Sequence, residues 1–297
     1  MTDWDDLRIF LAVARAESLS RAGRALRLDP ATVGRRIARL ESDVGAPLFA
    51  KSPQGYALTG AGGRLLPQAE RVETAVNGAL AEVDGAEGQL TGNLRIGAPD
   101  GCANYLLPQV VARICDENPG LEVQIVALPR VFNLSKREAD MAIAVSQPTA
   151  GRLTVQKITD YHLHLAGAHD YLARNPPIAA REDLRWHRII GYIPDMIHDS
   201  ELDYLSELGA ESAPLASNSV SVQLMWVRQG AGLAIVHDFA LPSAPELVRV
   251  LPDQIRLTRS FFLIRHADDR RVARLNRFAE TLSEGIRQEV ARLELSS

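Results

Sequence analysis

The densest chemistry in this 297-residue chain lies in its first 51 residues, where arginines recur at helical spacing. Arg35, Arg36 and Arg39 follow Asp29-Pro30-Ala31-Thr32 on one predicted helix, and Arg21, Arg24 and Arg27 precede it on another. A guanidinium is always charged, and its planar fork of donors matches phosphate oxygens or the O6/N7 edge of guanine. The major groove of B-DNA admits one α-helix, whose N-terminal part reaches the base edges. Here that part is Pro30, Ala31, Thr32, Gly34 and Arg35. Pro30, Ala31 and Gly34 have no hydrogen-bonding side chain, so they read sequence by contact or by permitting close approach, whereas Arg35 can bond a guanine bidentately. Arg36, Arg39 and Lys51 suit phosphates, which position a protein without specifying sequence. Arg21 adds to the same positive field. The plain alternative is an ordinary solvated face, and the elements around these residues decide against it.

Those elements are predicted by periodicity and caps. Leu7, Phe10, Leu11, Val13 and Ala14 give an amphipathic first helix. Ser20 is the expected N-cap of a second helix containing Ala22, Ala25 and Leu26. Asp29-Pro30 opens a third helix, with a capping carboxylate and a proline at its first position. Val33, Ile37, Leu40 and Val44 share one face of it, opposite Thr32, Arg35, Arg36 and Arg39. Helices two and three are separated by only two or three residues, which forces a helix-turn-helix. Leu48-Phe49, a turn at Ser52-Pro53-Gln54-Gly55 and Tyr56-Ala57-Leu58-Thr59 predict a short hairpin, or wing. A long polar helix follows from Arg64 to about Glu87. Its Leu65, Ala69, Val72, Val76, Ala79 and Val83 are spaced 4, 3, 4, 3, 4. So narrow a heptad seam predicts pairing with a second copy of the chain; the competing reading is packing within its own domain.

Gly88 to Asn93 is hinge-like, and beyond it strand and helix signals alternate. Strands are expected at Leu94–Gly97, Leu121–Val126, Asp140–Val145, Leu163–Ala166, Ile189–Ile193, Leu233–Val236 and 261–265. Helices are expected at Tyr105–Asn118, Asp170–Arg174, Glu201–Glu207, Ser219–Gln229 and Asp269–Leu293. That alternation predicts an α/β region with a largely parallel sheet.

Composition narrows the classes further. Hydrophobic residues make up 46% and charged residues 24%, a globular profile that excludes disorder and low-complexity polymers. The net charge of −4 conceals an asymmetry: residues 1–60 carry 9 Lys+Arg against 7 Asp+Glu, and the remainder is acidic. With two cysteines, neither a disulfide framework nor a four-cysteine zinc site is possible. The seven histidines show no metal-ligand spacing, so no metal and no cofactor is assigned. The acidic start, Met1 to Asp6, is unlike a secretion signal, and no run of 18 apolar residues predicts a membrane span, so a cytoplasmic chain is expected. Gly-x-Gly-x-x-Gly, a phosphate loop and a Gly-x-Ser-x-Gly elbow are all missing, which argues against an enzyme. The competing classes are a small-molecule binding protein whose head serves assembly, or an α/β enzyme with a regulatory head.

The stretch FLAVARAESLSRAGRALRLDPATVGRRIARLESDVGAPLF (10–49), closed by Leu58-Thr59-Gly60-Ala61-Gly62, resembles the DNA-binding head of the LysR-type transcriptional regulators. The match fixes helix lengths, turn, wing and exit together over residues 7–62, and the remaining layout agrees across the chain. This chain has Gly23 where the family commonly has alanine, Gly34 where it has serine, and Lys51 where it often has arginine. The resemblance implies a winged helix-turn-helix (1–62), a linker and dimerisation helix (63–91), and a two-lobed α/β effector domain like periplasmic binding proteins (92–297). It implies a homodimer or homotetramer that binds double-stranded promoter DNA and responds to a small-molecule effector.

On that implied architecture, the first lobe holds residues 92–160 and 266–297, and the second holds 161–265. Ligands of such folds sit between the lobes, at helix N-termini and strand ends. The corresponding positions are Asp100, Gly101 and Cys102, then Phe132 and Asn133, and from the second lobe Ile193, Asn218, Ser219, Gln223 and His237. Family members often offer serine or threonine where Asp100 and Gly101 stand, and an arginine where Ala144 stands. An acid gained and a cation absent weigh against a small carboxylate effector. Cys102, near a helix N-terminus, is either a thiol of lowered pKa or a small buried hydrophobe.

Overall fold

The computed structural model describes residues 3–52, 55–84, 90–127, 139–148, 151–197, 199–210 and 212–296, which fall into two compact units, Met1–Asp84 and Gly85–Ser297.

The first unit opens with α1 (Trp4–Ala16), α2 (Leu19–Leu26) and α3 (Pro30–Val44). Ile9, Phe10, Leu11, Val13, Ala22, Val33, Ile37 and Leu40 form its core, so the predicted apolar faces are the ones that turn inward. Helix α2 is capped by Ser18, two residues before the expected Ser20, with the Arg21 amide donating to the Ser18 hydroxyl at 3.4 Å. Asp29 caps α3 through the Thr32 amide at 2.8 Å. Gly23 accepts from the Leu28 amide at 2.9 Å, and a Cβ there would stand 2.6 Å from the Leu28 carbonyl oxygen. The glycine therefore closes the α2–α3 turn; it is not merely a weak helix former.

The wing is β1 (Phe49–Ser52) paired antiparallel with β2 (Gly55–Leu58). Glu41, near the end of α3, accepts from the Leu48 and Phe49 amides at 2.7 and 3.1 Å and so seats the first strand. Thr59 donates to the Pro47 carbonyl at 2.6 Å and accepts from the Gly62 amide at 3.1 Å. A Cβ on Gly62 would fall 2.1 Å from the Leu48 carbonyl oxygen, which explains the glycine-rich exit. Helix α4 (Gly60–Asp84) begins there, one turn before the expected start.

In the second unit β3 (Gly92–Ala98) pairs in parallel with β4 (Leu121–Ala127) and with β5 (Met141–Ala144). The helix expected at Tyr105–Asn118 is two, α5 (Asp100–Tyr105) and α6 (Leu107–Glu117). Pro108 has no N–H to give the Asn104 carbonyl and its ring would strike that group, so the helix restarts with the proline in its first turn. The strand expected at Leu163–Ala166 is the 16-residue β6 (Leu153–Ala168). Its first half, with Gln156 and Lys157 exposed, lacks a continuous apolar run and gives little strand signal.

After β6 come α7 (His169–Arg174), β7 (Ile190–Gly191), α8 (Tyr204–Leu208), β8 (Leu215–Ala216), α9 (Val220–Arg228), β9 (Leu233–His237), β10 (Leu247–Arg249), β11 (Arg256–His266) and α10 (Ala273–Leu295). The sheet order is β10-β6-β11-β5-β3-β4, with β9 also on β6. Contrary to the largely parallel sheet expected, every pairing of β6 and β11 is antiparallel, because the chain leaves along one and returns along the other. Their register breaks between Phe261 and Phe262, where β6 carries one extra residue, Ile158. Beside the break, Tyr161 stacks on Phe261 at 4.1 Å between centroids, and His237 and Phe239 complete the aromatic cluster. Among the described residues no helix is long and apolar enough to cross a membrane.

Candidate nucleic-acid interface and ligand cleft

The sequence-predicted readers lie on the outer side of the helix-turn-helix. Arg21, Pro30, Ala31 and Arg35 are exposed, and Thr32 and Gly34 are half-buried. The Thr32 hydroxyl donates to Asp29 at 2.5 Å and accepts from the Arg35 guanidinium at 3.3 Å. These bonds from Thr32 hold the Asp29 carboxyl below the ordinary range, so it stays ionised as a cap. The first turn of α3 is thereby fixed while Arg35 keeps most of its donors for solvent. A Cβ on Gly34 would meet only Leu19 Cδ1, at 3.3 Å.

Arg36 and Arg39 also take part in bonds within the unit. Arg36 pairs with Asp6 and with Asp5, the latter at 2.8 Å, and Arg39 pairs with Asp6 at 2.5 Å. Asp6 is 2% exposed, so it needs these partners. The α3 guanidiniums that looked suited to phosphate are thus joined to the start of α1, the Arg36 side chain largely buried and the Arg39 side chain half exposed. Sequence reading missed this because it took Asp5 and Asp6 only as part of an acidic start. The Lys51 side chain lies outside the described residues.

The heptad seam also divides. Ala69 is 1% exposed and Leu65 packs beside it in the core of the first unit, so the start of the seam is filled within the chain. The spacing is the same whether the partner helix lies in the same chain or another, which is why sequence could not separate them. Val72 is exposed and Val76 half-buried, whereas the Ala79 and Val83 side chains lie outside the described residues. Arg15 of α1 pairs with Glu73 of α4 at 2.6 Å, reinforcing the contact within the unit.

In the second unit four of the predicted cleft residues meet. Asp100 opens α5, and its Oδ2 accepts from the Ser219 hydroxyl at 2.9 Å and from the Ser221 amide at 3.0 Å. A Cβ on Gly101 would stand 3.2 Å from the His237 ring and 3.3 Å from Val220, so the glycine permits this close approach. His237 is buried, and burial lowers its pKa to about 4, leaving it neutral near pH 7. Gln223 is buried and donates to the Ser217 carbonyl at 2.7 Å. Ile193 and Asn218 are half-buried nearby in sequence, and Phe132 and Asn133 lie outside the described residues.

Cys102 has no exposed surface, and burial pushes its thiol far up, so of the two readings the buried hydrophobe holds. Sequence reasoning missed Ser221, which a serine two residues after the α9 cap signals, and Asn104, which donates to Asp100 at 2.8 Å. It also missed a cavity of about 430 Å³ lined by Pro194, Ile197, Asp199, Ser200, Asp203 and Leu205. Asp199 accepts from the Ser146 hydroxyl just beyond β5.

Comparison with known proteins adds to this geometry. Residues 4–63 match the bacterial regulatory helix-turn-helix protein family of lysR type, and residues 87–287 match the LysR substrate binding domain. The chain is 28% identical over 301 residues to the HTH-type transcriptional regulator PtxR of Pseudomonas aeruginosa, covering 98% of this chain and 95% of that one. Its fold is similar to ArgP from Mycobacterium tuberculosis, with a TM-score of 0.72, 18% identity and coverage of 96% and 98%. It is also similar to LysG from Corynebacterium glutamicum, solved with bound effector Arg, with a TM-score of 0.64, 16% identity and coverage of 97% and 99%.

Proposed function

This chain belongs to the LysR family of bacterial transcriptional regulators, and from that premise we propose how its residues divide the work. It is a regulator and not an enzyme: it binds promoter DNA through its helix-turn-helix, forms homo-oligomers and answers to a small-molecule effector. We assign residues 1–62 to the head, 63–91 to the linker and 92–297 to the effector domain. In that domain the first lobe is 92–160 with 266–297, and the second is 161–265. Its working compartment is the cytoplasm, where promoter DNA lies.

The observation that carries the reading is the exposed first turn of α3, fixed by Asp29 and presenting Ala31, Thr32 and Arg35. In this reading Arg35 contacts a base edge, Arg21 and Lys51 contact phosphate, and Arg39 does so with its exposed part. Arg36 serves the fold. The test is a fluorescence-anisotropy titration of the full chain against duplex DNA from upstream of its own gene, at several salt concentrations. Log affinity should fall linearly with log salt, at a slope of about −0.9 per phosphate neutralised. Salt-insensitive or absent binding on every fragment would leave the head as an assembly module.

For oligomers, we assign the exposed Val72 and the half-buried Val76 of the seam to contact with a second chain. A Val76→Lys variant should show a lower mass in sedimentation than the wild type; an unchanged mass would remove α4 from the interface.

The effector cleft is the meeting of α5 with α9 and the end of β9. LysG, a fold neighbour, is solved with an effector, which supports a small-molecule site in a domain of this shape.

A further inference from the structure

We propose that Asp100 is an internal ligand: its carboxylate fills the anion seat at the start of α9 and latches α5 to α9 through the chain's own bonds. The proposal rests on the reading of this cleft as the effector site, and it adds a specificity. With the seat taken, the cleft selects against anionic effectors and for neutral or cationic ones.

A helix begins with amides that have no partner in the helix, and their summed dipoles favour negative charge. At α9, a helix of nine residues, Ser219 caps the Val222 amide with its hydroxyl oxygen at 3.3 Å. The Ser221 amide turns instead to a side chain 121 residues away, Asp100 Oδ2 at 3.0 Å. The Ser219 hydroxyl donates to that same oxygen at 2.9 Å. The other oxygen is held from the α5 side, by the Asn104 amide at 2.8 Å. Asn104 also donates to the Ser221 hydroxyl at 3.0 Å. Both carboxylate oxygens therefore have donors, drawn from both helices.

Among the described residues, the bonds to the Asp100 carboxylate come from the Ser219 hydroxyl, the Ser221 amide and the Asn104 side-chain amide, none of them a cation, so hydroxyl, amide and helix dipoles balance the charge. His237, packed against Gly101, is neutral near pH 7 because burial lowers its pKa to about 4. A second anion brought to this turn would meet Asp100 without a counter-charge between them.

The experiment compares full-length wild type, Asp100→Ala and Asp100→Asn by hydrogen exchange in peptides spanning the first turn of α9. Formate, a carboxylate with no side chain, is added against equal chloride. Asp100→Ala should raise exchange at Ser221 about tenfold, the loss of one good hydrogen bond, and formate should restore protection in a saturable way. Asp100→Asn keeps the shape and loses the charge, and exchange should rise about threefold with no response to formate. Wild type should not respond to formate either. Unchanged exchange in either variant, or an equal formate response in wild type, would overturn the latch. Should Asp100→Ala not fold, the asparagine variant alone decides on the exchange rise. The DNA titration above is independent of this result, so failure of the latch and failure of the regulator reading are separately visible.

Discussion

The two units treat their polar residues in opposite ways. In the first, Arg21, Ala31 and Arg35 face solvent around a small apolar core, and the charges drawn into bonds are those at the back of α3, where Arg36 meets Asp5 and Asp6. In the second, Asp100, Ser219 and Ser221 already bond one another, and His237 is enclosed. A surface that must fit a rigid polyanion is best displayed in advance. A cleft that must change its state on binding is better built from groups that hold each other until a ligand competes.

Four measurements would break or sharpen that contrast. The largest effect belongs to His237. Its folded pKa lies near 4 against about 6.5 unfolded, so its neutral form stabilises the fold fully above pH 6.5 and that stability is lost as pH falls towards 4. The loss is about 3 kcal/mol by this group alone. Urea unfolding of a His237→Phe variant should show a flatter dependence between pH 7 and pH 4; an identical dependence would mean that the ring takes up its proton as readily folded as unfolded.

Next is the pair at the back of α3. Arg36→Ala leaves the buried Asp6 with only its Arg39 partner, and the first unit should lose about 2–3 kcal/mol in denaturant unfolding. A fully stable variant with weakened DNA affinity would restore Arg36 as a phosphate contact. Arg35→Ala should do the reverse, leaving stability unchanged and costing about 1–3 kcal/mol of specific DNA binding. An equal loss on scrambled DNA would make Arg35 a phosphate contact instead.

The smallest effect expected is at Gly23. Replacing it with alanine ordinarily favours a helix by up to about 1 kcal/mol. Here the new Cβ would meet the Leu28 carbonyl at 2.6 Å, so the variant should melt lower, by about 1 kcal/mol net. A higher melting temperature would show that the turn can yield.

The head was legible because its signals are local. Asp29-Pro30 announces a helix start, and the apolar face of α3 follows from spacing within one helix. The use made of Arg36 and Ala69 was not legible, since each depends on which residues of α1 lie opposite, a contact made across the fold. In the second unit the elements were found but not their sense. Antiparallel pairing of β6 with β11 joins residues as far apart as Leu153 and His266, and no window of sequence contains both. Asp100 could be singled out as unusual in place; its partner Ser221 could not, because a serine inside a helix start is commonly read as part of the cap.

The route of β6 and β11 has a consequence for protein engineering. Everything between residues 164 and 256 enters along one strand and leaves along its neighbour, so the two ends of that stretch lie side by side, with His164 opposite Arg256. A segment whose ends lie side by side can be exchanged as a cassette without stretching the remainder of the chain. Grafting the equivalent stretch from a related regulator would replace α9 and β9 while Asp100 and Gly101 of α5 stay in place, so it would separate their share of ligand choice from that of the second lobe. The graft must carry its own counterparts of His237 and Phe239 beside Tyr161, whereas the pair of His162 with Glu294 of the final helix, at 2.7 Å, lies outside it.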